Sequence, residues 1–318
     1  MPELLFPAFD PVLLDLPGPL DVRWYGLMYV VAFFVGQTII SRLCRSGFVA
    51  MDERRVGDLI FWLVFGVLLG GRLGYALFYE TELLNPMRFA QVWKGGLAFH
   101  GGLVGVIVTT FLFARRFKIS GWRLGDTMAL CVTPGILAVR CANFVNGELF
   151  GREASAAVPW AMRFPTDDKA MHLLGTIGLE IRERELKTLA AIRDGTWEKV
   201  MHDVPLRHPS QLYEALGEGV LLGLAMLLLY RLTRERRLAA GVYGGWFLVG
   251  YGCVRFCIEF FREPDRQLGL VLGPFTRGQE LCFAMIVVGL CIVLFRRGRG
   301  EPVPIPSRAP IPSKQAAP

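Results

Sequence analysis

Seven predominantly apolar runs, at residues 24–40, 59–79, 95–114, 127–147, 211–230, 239–261 and 279–295, dominate this chain. Each is close to the roughly 20 residues that an α-helix needs to cross about 30 Å of hydrocarbon. With 53% hydrophobic residues, 20% charged residues and a mean hydropathy of +0.41 over 318 residues, the chain is too apolar for an ordinary soluble domain, a disordered segment or a fibrous repeat. The net charge of +7 does not indicate nucleic acid, because the positive residues cluster in short connections instead of along one amphipathic face. Seven cysteines stand singly at 44, 131, 141, 253, 257, 282 and 291, which suits small apolar residues better than a disulfide framework or a zinc site. The expected fold is an all-α polytopic membrane protein with seven transmembrane helices.

Lysines and arginines in the short connections set the expected orientation. Arg42, Arg45, Arg54 and Arg55 follow the first run, Arg115, Arg116, Lys118 and Arg123 the third, and Arg231, Arg234, Arg236 and Arg237 the fifth. The opposite connections carry fewer: Arg23, then Arg88 and Lys94, then Arg262, Arg266 and Arg277. The N-terminus is therefore expected outside and the C-terminus in the cytoplasm. Asp10, Asp15 and Asp21 precede the first positive residue, Arg23, the reverse of a signal peptide's basic start. The organisation expected is an external segment (1–23), four helices (24–147), an external head or arm (148–207), three helices (208–296) and a Pro-, Ser- and Ala-rich disordered tail (297–318). A surface helix is expected within 178–200. Glycines four apart, 66 and 70, 101 and 105, 219 and 223, 241 and 245, suit close helix packing.

Charges inside the apolar runs are few and costly, at about 2.5–3.5 kcal/mol each on insertion scales. With a rise of about 1.5 Å per residue, Arg72 and Arg140 fall roughly 10 Å below the outer surface, and His100 and Arg255 share that leaflet. Arg72 could snorkel or serve helix packing. Arg255 has Glu259 one turn on and Arg262 after it, which could simply neutralise it. Arg140 is followed by Asn143, Asn146 and Glu148, hydrogen-bonding groups that lipid tails cannot satisfy, so a polar pocket is expected there. Histidines 100, 172, 202 and 208 show no paired-ligand spacing, and neither metal nor cofactor is expected. Guanidinium forks at headgroup depth suit a phosphate-bearing lipid, which could be bound, moved or cut.

The segments WYGLMY (24–29), GGRLGY (70–75), FHGGL (99–103), RCANFVNGELFGR (140–152), RHPSQLYE (207–214), GYGCVR (250–255) and EFFR (259–262) together resemble the phosphatidylglycerol:prolipoprotein diacylglyceryl transferases of bacterial inner membranes. The resemblance covers about residues 5–295, and the segment 140–152 is highly specific. It implies transfer of a diacylglyceryl group from phosphatidylglycerol to the lipobox cysteine thiol of a prolipoprotein, with a thioether formed and glycerol 1-phosphate released. By position it implies that Arg140, Asn143, Asn146, Glu148 and Gly151 form the signature motif, that Tyr25 and His100 are the essential tyrosine and histidine, and that Arg255 and Glu259 form a second polar cluster. Val139 and Ala142 stand where the family usually has glycines.

A thiol's pKa of about 8.5 leaves it mostly protonated near neutrality, so His100 is a candidate base. Arg140 and Arg255 would stabilise charge growing on the departing phosphate. Tyr25, Asn143, Asn146, Glu148 and Glu259 would hold the headgroup and orient the arginines. The expected partners are phosphatidylglycerol, signal peptides bearing a lipobox cysteine, and the bilayer, which both amphiphilic substrates would leave laterally. A lipid transporter would instead spread polar residues across the full thickness and show paired repeats; here the polar level is one-sided.

Overall fold

The computed structural model describes residues 4–7, 9–16, 21–92, 95–235, 238–263, 270–272 and 275–298. Residues 299–318 of the tail expected to be disordered, and Lys94, Arg236, Arg237 and Arg266 of the charge count, lie outside the described residues. The chain is mostly helical. Each expected apolar run forms helix: α1 (Trp24–Arg45), α2 (Arg54–Phe78), then a short α3 (Pro86–Phe89), α4 (Phe99–Phe117), α5 (Gly121–Cys131), α6 (Thr133–Val145), later α10 (Ser210–Glu214) running through a π-helical stretch (Ala215–Leu221) into α11 (Leu222–Thr233), then α12 (Val242–Ile258) and α13 (Arg277–Arg296). Among the described residues, four helices are long and apolar enough to cross a membrane, and five if α5 and α6 count as one bent span. Large apolar side chains lie exposed along these helices, among them Phe34, Phe61, Ile107, Leu224 and Phe283. In water such a surface would be costly, whereas lipid tails match it.

Three boundaries differ from the sequence expectation. The fourth run is not one helix: α5 and α6 meet at a 42° bend beside Pro134, whose ring lacks an N–H and crowds the preceding turn. The third helix begins at Phe99 instead of residue 95, because Gly95 and Gly96 adopt left-handed φ of 84° and 76°. Gly241, read as part of a small-residue helix face, precedes α12 at φ 99°.

The chain divides into two compact units. The unit comprising 37–128, 232–244 and 294–318 is organised by the crossing of α2 and α4. Gly66, Gly70 and Gly74 meet Gly101, Gly105 and Thr109 so closely that a Cβ at Gly74 would lie 2.8 Å from the Gly101 Cα. Between these helices Arg72 is buried and donates to the carbonyls of Arg88, Phe89, Gln91, Gly95 and Gly96. Among the described residues it meets no carboxylate: its charge is dispersed over carbonyls of α3 and of the loop that leads into α4. Arg123, counted among the cytoplasmic positives, is buried on α5 beside Asp126. Asp126 accepts from the Gly241 and Gly244 backbone amides, both at 2.8 Å, satisfying the otherwise unpaired donors at the start of α12.

The other unit comprises 1–36, 129–231 and 245–293. Its segment 148–207 carries the expected surface helix as two pieces, α8 (Ile181–Arg193) and α9 (Thr196–Val200), parted by Gly195 at φ 77°. With α7 (Asp168–Leu173) they enclose a small core of Ala170, Leu174, Ala191, Trp197, Met201 and Val204. An antiparallel pair, β1 (Val12–Leu14) and β2 (Val22–Arg23), leads into α1. Arg23 donates to both Glu185 oxygens at 2.8 and 2.9 Å, and Arg182 ion-pairs with Asp10 and Asp15, so the N-terminal segment is fastened to α8.

Candidate active site

Two polar clusters lie in this second unit, joined by one helix. The first starts at Arg140 on α6. Its Nε ion-pairs with Glu214 at 2.7 Å and its Nη2 lies 3.7 Å from Glu218. From α12, Arg255 Nη1 reaches Glu214 at 2.7 Å and Glu218 at 3.5 Å, while Nη2 reaches Glu259 at 3.0 Å. Arg262 Nη1 donates to Glu214 at 2.8 Å. Three guanidiniums thus face three carboxylates, and their formal charges cancel. That cancellation is what lets the group sit in an apolar helical unit, since an unpaired buried charge would cost several kcal/mol.

The carboxylates lie at the back of this cluster. Glu214 and Glu218 have no exposed side-chain surface, whereas Arg140, Arg255 and Arg262 keep 17, 15 and 17%. Each guanidinium has five N–H donors, so carboxylates behind it fix its plane without exhausting it. The π-helical turn of Ala215–Leu221 underlies the arrangement. Gly219 lies against α6, where a Cβ would come 2.9 Å from the Leu137 Cα, and Gly217 lies against Val254 of α12, where a Cβ would come 2.7 Å from its Cγ1. π-turns of this kind recur at functional sites.

The second cluster follows α6 into its C-terminal loop. Asn143 and Asn146 donate their amide N–H groups to the same Glu148 oxygen, at 3.0 and 3.1 Å. Tyr25 stands beside this pair, close to Asn143 and Glu148, with its ring centroid 5.3 Å from that of Tyr29. The loop is locked by Gln211 Nε2 donating to the Glu148 carbonyl at 2.7 Å and by the Ser210 hydroxyl donating to the Leu149 carbonyl at 3.0 Å. Leu149 holds φ at 59°, a left-handed conformation costly for a bulky side chain and sustained only where the surroundings demand it. Gly151 has no room for a side chain: a Cβ would run into the Phe261 carbonyl oxygen and lie 3.0 Å from His208 Cβ. Phe6 of the N-terminal segment packs on Phe144 and Phe164, with ring centroids 5.4 and 5.1 Å away.

The structure therefore brings together Arg140, Arg255 and Glu259 in one cluster and Tyr25, Asn143, Asn146 and Glu148 in the other, with Gly151 in the wall behind. His100 lies in the other unit, exposed in the first turn of α4. Glu214 and Glu218 are the residues sequence reasoning missed as site members. Their signal was present, since two carboxylates four apart in an apolar run must meet cations. The partner of Arg262 also differs from the spacing argument: it pairs with Glu214, not Glu259. His208 Nδ1 lies 3.0 Å from the Tyr213 hydroxyl, which accepts from Trp160 Nε1 at 2.6 Å; burial lowers the His208 pKa below its usual 6.5 and favours the neutral ring. No group of three or more His, Cys, Asp or Glu among the described residues is placed to hold a metal ion.

Comparison with known sequences bears on the same residues. The family profile described as prolipoprotein diacylglyceryl transferase matches residues 11–295. The phosphatidylglycerol--prolipoprotein diacylglyceryl transferase of Rhodospirillum rubrum is 41% identical over 309 residues, covering 95% of this chain and 97% of the relative. That of Oleidesulfovibrio alaskensis is 44% identical over 295 residues, covering 91% and 94%, and that of Ralstonia pickettii 41% identical over 309 residues, covering 94% and 98%.

Proposed function

Since the chain belongs to the prolipoprotein diacylglyceryl transferase family, we propose that its site takes the diacylglyceryl group from phosphatidylglycerol and places it on the lipobox cysteine of a prolipoprotein. The protein is a transferase that transfers a diacylglyceryl group to prolipoproteins. The thiol loses its proton, the sulfur attacks the glycerol carbon that bears the phosphodiester, the C–O bond breaks, and glycerol 1-phosphate leaves. The observation that carries this reading is the convergence of Arg140 and Arg255 on Glu214. Two guanidiniums held by a shared buried carboxylate present rigid donors to a phosphate, and a preorganised donor of this kind is worth about 3–4 kcal/mol where charge develops. Arg262 extends that donor set. Tyr25, Asn143, Asn146 and Glu148 combine a phenol, two amides and a carboxylate, chemistry suited to the headgroup's hydroxyls. Glu259 orients Arg255, and Gly151 lets the signature loop close against Phe261 and His208.

Seven spans with the N-terminus outside and the C-terminus in the cytoplasm remain our reading of the topology, in the bacterial inner membrane. The ion pairs of Arg182 with Asp10 and Asp15 and of Arg23 with Glu185 support it, because they require residues 1–23 and the 148–207 segment to share one side. That segment would then meet the emerging prolipoprotein outside the membrane.

The decisive experiment incubates purified protein in detergent with phosphatidylglycerol and a lipobox peptide. Release of glycerol phosphate with a diacylglyceryl mass gain on the cysteine is expected; binding of both without turnover refutes the reading. His100 is proposed as the base on the chemistry of its imidazole. His100→Gln is expected to lower kcat by about 10²–10⁴ near neutrality, with activity recovering as pH rises toward the thiol pKa. Unchanged rates at all pH values would remove His100 from the mechanism.

A further inference from the structure

Glu218 is the carboxylate of the arginine cluster that stands farthest from its cations. It is fully buried on the π-helical turn, between two glycines that let α6 and α12 press close on either side. Its carboxylate lies 3.7 Å from Arg140 Nη2 and 3.5 Å from Arg255 Nη1, longer than the 2.7 Å contacts both make with Glu214. It therefore serves less as a hydrogen-bonding clamp than as a second negative charge behind both cations. Glu214 is shared by three guanidiniums, Arg140, Arg255 and Arg262, of which Arg255 also has Glu259; without Glu218, Arg140 would have only that shared carboxylate. Two like charges drawn to one carboxylate repel each other, and the repulsion is strong where water is excluded.

We infer that Glu218 is a positioning residue that holds Arg140 and Arg255 side by side as a two-cation pair for the phosphate released in the reaction. This rests on the transferase reading above and adds the group that fixes the spacing of its anion-binding arginines. The kinetic consequence follows from charge. Phosphatidylglycerol is a phosphodiester with one negative charge, whereas the leaving glycerol phosphate gains a second as the C–O bond breaks. A pair of cations held at fixed spacing is therefore needed more in the transition state than in the ground state, and its loss falls mainly on kcat.

The test compares E218Q, E218D and E218A in the full chain with phosphatidylglycerol and a lipobox peptide. E218Q keeps the shape and removes the charge: kcat per folded protein is expected to fall about 10- to 100-fold, with the KM for phosphatidylglycerol within about threefold of the parent. E218D keeps the charge one methylene back and is expected to turn over at least about tenfold faster than E218A. An E218Q protein at parental kcat, or one in which KM rises as much as kcat falls, overturns the inference. So does an E218D protein no faster than E218A, which decides the matter even if E218Q cannot be purified. A parent protein that releases no glycerol phosphate refutes the transferase reading itself, a result distinct from any difference among the Glu218 variants.

Discussion

Arg140→Ala is expected to reduce diacylglyceryl transfer at least about a thousandfold while the protein stays in the membrane. Removing one preorganised donor from a site of developing charge typically costs 10²–10³ in rate, about 2.7–4 kcal/mol. Arg140 carries a second burden, because it contacts both Glu214 and Glu218. Its loss leaves those buried carboxylates with fewer cations and would let Arg255 and Arg262 settle toward them, away from the phosphate. Breaking a buried pair this way costs about 3–5 kcal/mol of stability, so the activity must be normalised to folded protein by gel filtration and thermal melting. Arg140→Lys should not rescue it, because an ammonium cannot span Glu214 through Nε and Glu218 through Nη2 with one planar group. Asn146→Ala is expected to act in the same direction by freeing Glu148. Near-normal peptide lipidation by both Arg140→Ala and Asn146→Ala, read by mass spectrometry, would withdraw the site assignment.

Gly105→Val is expected to destroy the folded state instead of the chemistry. A Cβ at Gly105 would run into the Gly66 carbonyl oxygen and lie 2.8 Å from the Gly66 carbonyl carbon. Both are backbone atoms of α2, so no rotamer change relieves the overlap and α2 and α4 must separate. Without a hydrophobic drive between helices in lipid, close packing is what holds such a crossing together. Parting these helices would also loosen the loop whose carbonyls receive Arg72, exposing a buried charge. The loss should exceed the usual 1–3 kcal/mol of overpacking, read as aggregation on gel filtration. Gly57→Val, on α2 with nothing within 4 Å of its Cβ position, should purify normally, and equal behaviour of the two variants would show that the close crossing is not what stabilises this unit.

Much of the candidate site was legible from cost alone. Arg140 and Arg255 stood out because charged groups in apolar runs need a reason, and they do converge. What spacing along one helix could not supply was the partner across helices. Glu259 is one turn from Arg255 and does pair with it, but Glu214 and Glu218 come from another helix, and Arg262 takes Glu214. Arg72 shows the opposite error of scale: the flanking glycines pointed to packing, yet the fate of its charge lay in carbonyls 16–24 residues onward.

The linear order of residues determined where helices form, because hydrocarbon tolerates only long apolar stretches with satisfied backbones, and it determined which charges would be expensive. The bend beside Pro134, the late start of α4 at two left-handed glycines, and the sharing of Glu214 by three arginines were decided only in three dimensions. A buried charge is compensated by whichever opposite charge packing brings within a few ångströms, and helix packing depends on side-chain shapes from distant parts of the chain.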